Sequence, residues 1–339
     1  MRIEIEIDPR EIVRIVKIIN NHLNEGISID NLLVDLLKRK ISSSDYLFLL
    51  LSKLQDLGLI EGRRGILRVK GIVDENLLEK LTKKITTEIL RKRRIFVTPL
   101  EVAKFYQCPR RFYLEKIVLS RQFKKERGRV WDGEVLHLAV HMLIEALIKE
   151  DIDESIEKIT KSALDKYVGK TTLTKKEIKD FLIKLYRLIE DEKFDFLASE
   201  RTILSIKGSL IGTPDIIARN ESGELIPIDI KLGRIDRSGV KKEHILQSVG
   251  EAILVEDFLR TEVKKSYLIY FRADSVIQMK LTDGKKKEFI SFKKELERVS
   301  RKKIIPEMSK LPHVTTRVCR GCHVKPVCDK IEKLSRMGR

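Results

Sequence analysis

Apolar residues recur at helical spacing through the first sixty positions of the chain. Three successive segments place them three and four residues apart: Ile12, Ile15, Val16 and Ile19; Leu32, Leu33, Leu36 and Leu37; and Leu47, Leu50, Leu51 and Leu54. Residues 59–69 then read Leu-Ile-Glu-Gly-Arg-Arg-Gly-Ile-Leu-Arg-Val, which predicts two short strands around a tight turn. Three helices followed by a hairpin predict a winged-helix-like α+β module over residues 1–75.

The charges of this module leave its role open between two interpretations. Its third segment, where a recognition helix would lie, carries Lys53 as its one cation, whereas groove-reading helices usually present several polar or basic side chains. Arg63 and Arg64 in the predicted wing are nevertheless candidates for contacts with DNA phosphates. We expect either DNA contact or protein–protein packing here, and a basic helical connector over residues 76–97.

A second domain is predicted from Thr98 onward. Helical spacing runs through residues 129–149, 152–167 and 174–193. Residues 202–233 then alternate and are rich in β-branched side chains, which predicts three strands, followed by a helix over about 241–259 and a further strand. This order of elements predicts an α/β domain with a mixed sheet over residues 98–339.

The charge balance narrows the class of partner. The 339 residues include 69 Lys and Arg against 51 Asp and Glu, a formal net charge of +18, which favours a polyanion such as nucleic acid. A thermophile surface explains the 35% of charged residues but not their sign. Since there is no signal peptide and no apolar run near the ~18 residues of a membrane span, we expect a cytoplasmic protein.

Two acidic residues follow one another on consecutive predicted strands. Asp215 comes after Gly-Thr-Pro, and Asp229 and Lys231 stand two apart, so they share one face of a strand while Ile230 points into the core. If the strands pair as a hairpin, two carboxylates and an ammonium converge. That group suits phosphodiester cleavage assisted by Mg²⁺ or Mn²⁺, whereas each residue alone is more often a turn residue or a solvated ion pair.

The four cysteines form a second constellation. Cys108 stands alone, and Cys319, Cys322 and Cys328 follow about two hundred residues later as C-x2-C-x5-C. Four thiolates are a complete set for either a tetrahedral zinc ion or a four-iron cluster. In either case they would join the two ends of the second domain.

Together these motifs resemble the PD-(D/E)XK nucleases of the RecB type, and within them the CRISPR-associated iron–sulfur exonucleases. The resemblance covers about residues 98–330 and includes both cysteine motifs, the Gly-Glu-Val-Leu-His segment ending at His137, Glu200, the Gly212–Asp215 and Asp229–Lys231 motifs, and Gln247. It implies a restriction-endonuclease-like mixed sheet flanked by helices. Glu251 departs from the family pattern, which usually has a tyrosine four residues after this glutamine.

The resemblance also implies roles for single residues. It assigns a [4Fe–4S] cluster to Cys108, Cys319, Cys322 and Cys328. It assigns Mg²⁺ or Mn²⁺ to His137, Asp215, Asp229 and the main-chain carbonyl of Ile230, and catalysis to Lys231, Asp229, Asp215, Glu200 and Gln247. Single-stranded or splayed DNA would be the substrate, and CRISPR adaptation proteins or a helicase would be partners.

Other interpretations remain beside this one. Arg110 and Arg111, next to Cys108, are candidates for phosphate contacts, whereas His244 is interpreted as a surface or turn residue. The same fold would also suit a DNA-binding or adaptor subunit without nuclease activity. A metal-sensing transcription factor would need a more basic recognition helix than this chain has.

Overall fold

The computed structural model of the chain describes the second domain almost completely and the N-terminal part in fragments. The described residues are 14–15, 17–18, 27–38, 50–52, 54–55, 57, 59–63, 66–69, 77, 80–81, 96–118, 130–148, 156–236, 239–303, 305–307 and 316–337. Their helices are α1 (Ile29–Lys38), α2 (Pro99–Gln107), α3 (Pro109–Tyr113), α4 (Val130–Ile148), α5 (Ile156–Asp165), α6 (Lys175–Glu192), α7 (Lys242–Leu259), α8 (Asp283–Lys302), α9 (Thr316–Arg320) and α10 (Lys325–Met337), with a π-helical segment at Leu114–Val118. Their strands are β1 (Ile27–Ser28), β2 (Ile60–Arg63), β3 (Ile66–Val69), β4 (Asp195–Ser199), β5 (Ile203–Ser205), β6 (Leu210–Gly212), β7 (Ile216–Arg219), β8 (Leu225–Lys231), β9 (Lys265–Tyr270) and β10 (Ser275–Lys280).

A five-stranded mixed sheet forms the centre of the second domain, which confirms the predicted α/β class. Its strand order is β10-β9-β8-β7-β4. Strands β8 and β9 are parallel and are connected through α7, as a parallel pair requires, and the other neighbours are antiparallel. The predicted hairpin between the two acidic strands is present as the β7–β8 pair, with Ile216 opposite Ile228.

The two faces of this sheet pack against different helices. Ile228 and Ile230 of β8 point to one face and are buried with α4, α5 and α6. Asp229 and Lys231 alternate with them and therefore point to the opposite face, which α7 covers. The alternation of β8 thus places its polar residues against α7, as the sequence predicts for this segment.

The strand region differs from the prediction at its start. It begins with β4, before the segment predicted to open it, and the next residues form a separate β5–β6 hairpin outside the main sheet. Residues 202–233 therefore contain four strands where three were predicted, and β4 lies just before them as a fifth. Glu200 has φ of 50°, a left-handed conformation, so the chain turns away from the sheet immediately after β4.

The N-terminal module packs directly on the second domain. The predicted hairpin is present as β2 and β3, and β3 also pairs with β1 in a three-stranded sheet. Leu32, Leu33 and Leu36 of α1 are fully buried, and they belong to the same apolar core as residues of α7. The winged-helix interpretation stays a prediction, because Lys53, Arg64 and residues 91–94 lie outside the described residues, as does the side chain of Arg63.

Helix length and polarity bear on the membrane question. Within the described part of the chain, no helix is both long enough and apolar enough to cross a lipid bilayer.

Candidate active site

Asp215 is held in place by the ends of two neighbouring strands. Its main-chain carbonyl accepts hydrogen bonds from Glu200 N at 2.9 Å and from Ser199 Oγ at 3.1 Å. Its carboxylate Oδ2 accepts from Ile230 N at 2.6 Å. Gly212, three residues earlier, allows this segment to pack closely against α7 and α2, since a Cβ there would lie 3.0 Å from Leu254 and 3.1 Å from Pro99. The position of the carboxylate therefore follows from the β4, β7 and β8 backbones.

The side chains of two other residues converge on Asp215. His137 Nδ1, from α4, lies 3.2 Å from Asp215 Oδ1 and 3.3 Å from Glu200 Oε1. One ligand atom from each residue lies within 4.8 Å of the other two. A divalent ion with ligands at about 2.1 Å has neighbouring donor atoms about 3 Å apart, so this group fits one. Burial lowers the pKa of His137, but hydrogen bonds to Asp215 and Glu200 outweigh that effect and raise it to about 10, so a divalent ion that binds here would have to displace the imidazole proton.

Asp229 and Lys231 form a buried ion pair next to this group. Lys231 Nζ lies 2.7 Å from Asp229 Oδ2, and both side chains are almost entirely enclosed. Burial raises the pKa of Asp229 to about 6, although the charge of Lys231 opposes that rise. Burial lowers the pKa of Lys231, but the charges of Asp229 and Glu251 outweigh it and raise the pKa overall, so the ammonium stays charged. The pair supplies a fixed positive charge beside the carboxylates.

Two residues of α7 extend this network. Lys231 Nζ donates to Gln247 Oε1 at 2.8 Å, and Gln247 Nε2 donates to Glu251 Oε1 at 2.9 Å. Burial raises the pKa of Glu251 well above its usual range, and the charge of Asp229 adds to that rise. Glu251, the residue that departs from the family pattern, is therefore part of the polar network around the lysine.

The predicted site residues are distributed over two parts of this network. His137, Glu200 and Asp215 form the group that fits a metal ion, so Glu200 joins the candidate ligands rather than only the catalytic residues. Asp229 lies outside that group and pairs with Lys231. Ile230 takes part through its main chain, which donates to Asp215. The roles of all these residues stay predictions, because a position in the structure does not by itself establish a role.

The interpretation of His244 as a surface or turn residue is wrong. It lies half-buried in the first turn of α7, and its Nδ1 is 2.8 Å from the hydroxyl of Tyr270. Burial and the nearby charge of Lys231 lower the pKa of His244 to about 4, so the imidazole is neutral at pH 7. The sequence did not indicate this contact, because Tyr270 lies on β9, distant from His244 in the chain. A local signal for a role of His244 was its position three residues before Gln247.

The four cysteines come from the two ends of the second domain. Cys108 is buried between α2 and α3, where its Sγ accepts from Arg111 N at 3.3 Å. Burial raises the pKa of the Cys108 thiol and nearby Cys322 and Cys319 raise it further, which indicates that these sulfurs are neighbours. Among the described residues, however, no three cysteine sulfurs lie within 4.8 Å of one another. A zinc ion with 2.3 Å bonds would hold them about 3.8 Å apart.

Arg110 and Arg111 are engaged in ion pairs inside the protein. The Arg110 side chain is 3% exposed and pairs with Glu332 of α10. Arg111 Nε lies 2.6 Å from Glu115 Oε1. The burial of Arg110 argues against the predicted phosphate contact for this residue, because a buried guanidinium cannot reach a DNA backbone. Arg111 is half-buried and stays a candidate.

Comparisons with known proteins identify the family of this domain. The profile of the PD-(D/E)XK nuclease superfamily matches residues 97–329, more than half of the chain. No curated protein matches the chain. Among solved structures, the one described as "Crystal structure of SSO0001" is 17% identical and the alignment covers 66% of this chain and 94% of that chain, with a TM-score of 0.28. The matched span of the profile includes the whole carboxylate–lysine network and all four cysteines.

Proposed function

Because the chain belongs to the PD-(D/E)XK nuclease superfamily, we propose that it is a Mg²⁺- or Mn²⁺-dependent deoxyribonuclease acting as an exonuclease on single-stranded or splayed DNA. The observation that carries the proposal is the group formed by His137, Glu200 and Asp215, with the Asp229–Lys231 pair beside it. A nitrogen donor and carboxylate oxygens suit a divalent ion, and a charged lysine at the same place suits a reacting phosphate.

Each residue has a part that its position supports. A bound divalent ion supplies positive charge that polarises a phosphodiester and lowers the pKa of a bound water. His137, Glu200 and Asp215 would hold it, with Asp229 and the Ile230 carbonyl beside them. The ammonium of Lys231 is enclosed and lies 2.7 Å from Asp229. It would donate a hydrogen bond to the attacking water or to the phosphate oxygen on which negative charge develops.

The finer parts of the proposal rest on the sequence resemblance. We infer a [4Fe–4S] cluster at Cys108, Cys319, Cys322 and Cys328, which supply the four thiolates that such a cluster needs. A role in CRISPR adaptation, or in DNA repair or defence, follows from the same resemblance. The net charge of +18 agrees with DNA as the partner.

Cleavage of end-labelled DNA tests the proposal. Full-length protein, purified anaerobically, is mixed with single-stranded DNA and Mn²⁺ or Mg²⁺, and products are followed with time. We expect the parent to cut, and Asp215→Asn and Lys231→Ala to cut at least about a hundredfold more slowly, since each removes a group that acts on the transition state. Chelation by EDTA should abolish cutting by the parent.

A matched control separates catalysis from folding. Lys184→Ala removes an exposed lysine of α6, far from β8 in the chain, and should cut like the parent. If the parent cuts no faster than Asp215→Asn, the nuclease proposal is wrong. DNA binding without cutting would then favour the adaptor interpretation.

A further inference from the structure

A buried carboxyl lies one hydrogen bond behind the candidate catalytic lysine. Gln247 presents its Oε1 to Lys231 Nζ at 2.8 Å and its Nε2 to Glu251 Oε1 at 2.9 Å. Gln247 and Glu251 stand four residues apart on α7, so the helix backbone sets their spacing. The Gln247 amide therefore connects Glu251 to Lys231.

The direction of this amide depends on Glu251. The two ends of a glutamine amide have nearly the same shape, and their neighbours decide which end faces which way. A reversed Gln247 would direct its NH₂ group at the Lys231 ammonium, so two donors would face each other. Glu251 is 6% exposed and supplies the acceptor that holds the NH₂ group on the far side.

The direction of the amide in turn sets the direction of the lysine. An ammonium has three N–H groups. One of them donates to Gln247 Oε1, and the nitrogen lies 2.7 Å from Asp229 Oδ2, so these two contacts limit how the ammonium can turn. We propose that Glu251 is a positioning residue, which orients the Lys231 ammonium through Gln247. This inference rests on the proposed nuclease function.

A substitution at position 251 should affect the proposed positioning of Lys231 and the stability of the fold differently. Burying a carboxyl costs free energy, so an apolar residue of similar size is often neutral or stabilising at such a place. Glu251→Met removes that cost but leaves Gln247 Nε2 without its acceptor, so its melting temperature should stay close to that of the parent. It should nevertheless show a kcat on DNA about tenfold lower, because Gln247 loses the acceptor that orients it. The KM for DNA should not change, since Glu251 is buried.

Glu251→Gln is the matched variant, because its side-chain oxygen still accepts from Gln247 Nε2. Its kcat should stay within about threefold of the parent. Equal losses of kcat in the Met and Gln variants would overturn the proposal, and so would a lower melting temperature of Glu251→Met that accounts for its lost activity.

Crystal structures decide the same point without an activity assay. The parent and Glu251→Gln should keep the 2.8 Å contact between Lys231 Nζ and Gln247 Oε1. Glu251→Met should show a rotated or disordered Gln247 amide and a displaced Lys231. An unchanged contact in Glu251→Met would overturn the proposal even if the parent did not cut DNA, whereas a parent that does not cut overturns only the nuclease proposal.

Discussion

At the scale of single residues, the candidate active site combines one imidazole with several carboxylates around one point. His137 lies within 3.3 Å of both Asp215 and Glu200, and these two neighbours raise its pKa to about 10 against the effect of burial. Carboxylate oxygens suit Mg²⁺ and Mn²⁺ alike, whereas imidazole suits the softer transition metals. The imidazole is therefore the residue that distinguishes the two ions.

Metal affinity should depend on His137 in an ion-specific way. We expect the parent to bind Mn²⁺ more tightly than Mg²⁺. His137→Asn should weaken Mn²⁺ binding about tenfold or more while changing Mg²⁺ binding less, since the lost donor is the nitrogen. Calorimetric titration of each ion measures both effects. His141→Asn, one turn along α4 and bound to Ser199 Oγ, is the control. Equal weakening of both ions by His137→Asn would contradict this assignment.

At the scale of elements, helix α7 joins the candidate site to the apolar core. It covers the face of the sheet that carries Asp229 and Lys231, and it packs against α2 and α8 on its other sides. Gly250 lies where these helices meet, because a Cβ there would be 2.4 Å from the ring of Phe289 and 2.9 Å from Pro99. The close approach of α8 thus depends on a glycine next to Glu251.

A methyl group at this crossing should destabilise the fold. Gly250→Ala is expected to lower the free energy of unfolding by about 1–3 kcal/mol through overpacking against Phe289. The matched variant is Gly133→Ala in α4, where a Cβ has nothing within 4 Å, and it should stabilise by up to about 1 kcal/mol through helix propensity. Urea unfolding of both variants measures the difference. Equal effects at the two glycines would argue against the packing at Gly250.

At the scale of the whole molecule, the C-terminal tail closes back on the start of the second domain. Arg110 pairs with Glu332, and Glu115 Oε1 lies 3.0 Å from His323 Nε2, so an ion pair and a histidine–carboxylate contact join the segment around Cys108 to the segment around the other cysteines. A group bound by the four cysteines would therefore be a second link between parts of the chain that these contacts already bring together. Their site is distinct from the carboxylate–lysine network.

Loss of one cysteine should affect stability and metal content together. Cys322→Ala is expected to lower both the melting temperature and the iron content, because the proposed cluster would stabilise the folded state by binding to it. Iron analysis and thermal unfolding under anaerobic conditions measure the two. Lys330→Ala on the exposed side of α10 is the control. Unchanged stability with lost DNA cleavage would place the cysteine site in the chemistry instead.

Local pattern was sufficient for features that depend on neighbours in sequence. The helices predicted over 129–149, 174–193 and 241–259 match α4, α6 and α7 closely, because helical periodicity arises within a single segment. The spacing of Asp229 and Lys231 predicted their shared face for the same reason. The alternation of β8 also predicted that Ile230 is buried in the core.

Tertiary structure decided every feature that depends on partners distant in the chain. Strand β4 and the separation of the β5–β6 hairpin from the main sheet were not predicted, because strand pairing is set between segments rather than within them. The burial of Arg110, the contact of His244 with Tyr270 and the place of Glu251 behind Gln247 likewise follow from packing. The sequence by itself determined the α/β class and the candidate groups. The fold decided which atoms of those groups meet, because hydrogen bonds and burial depend on three-dimensional neighbours.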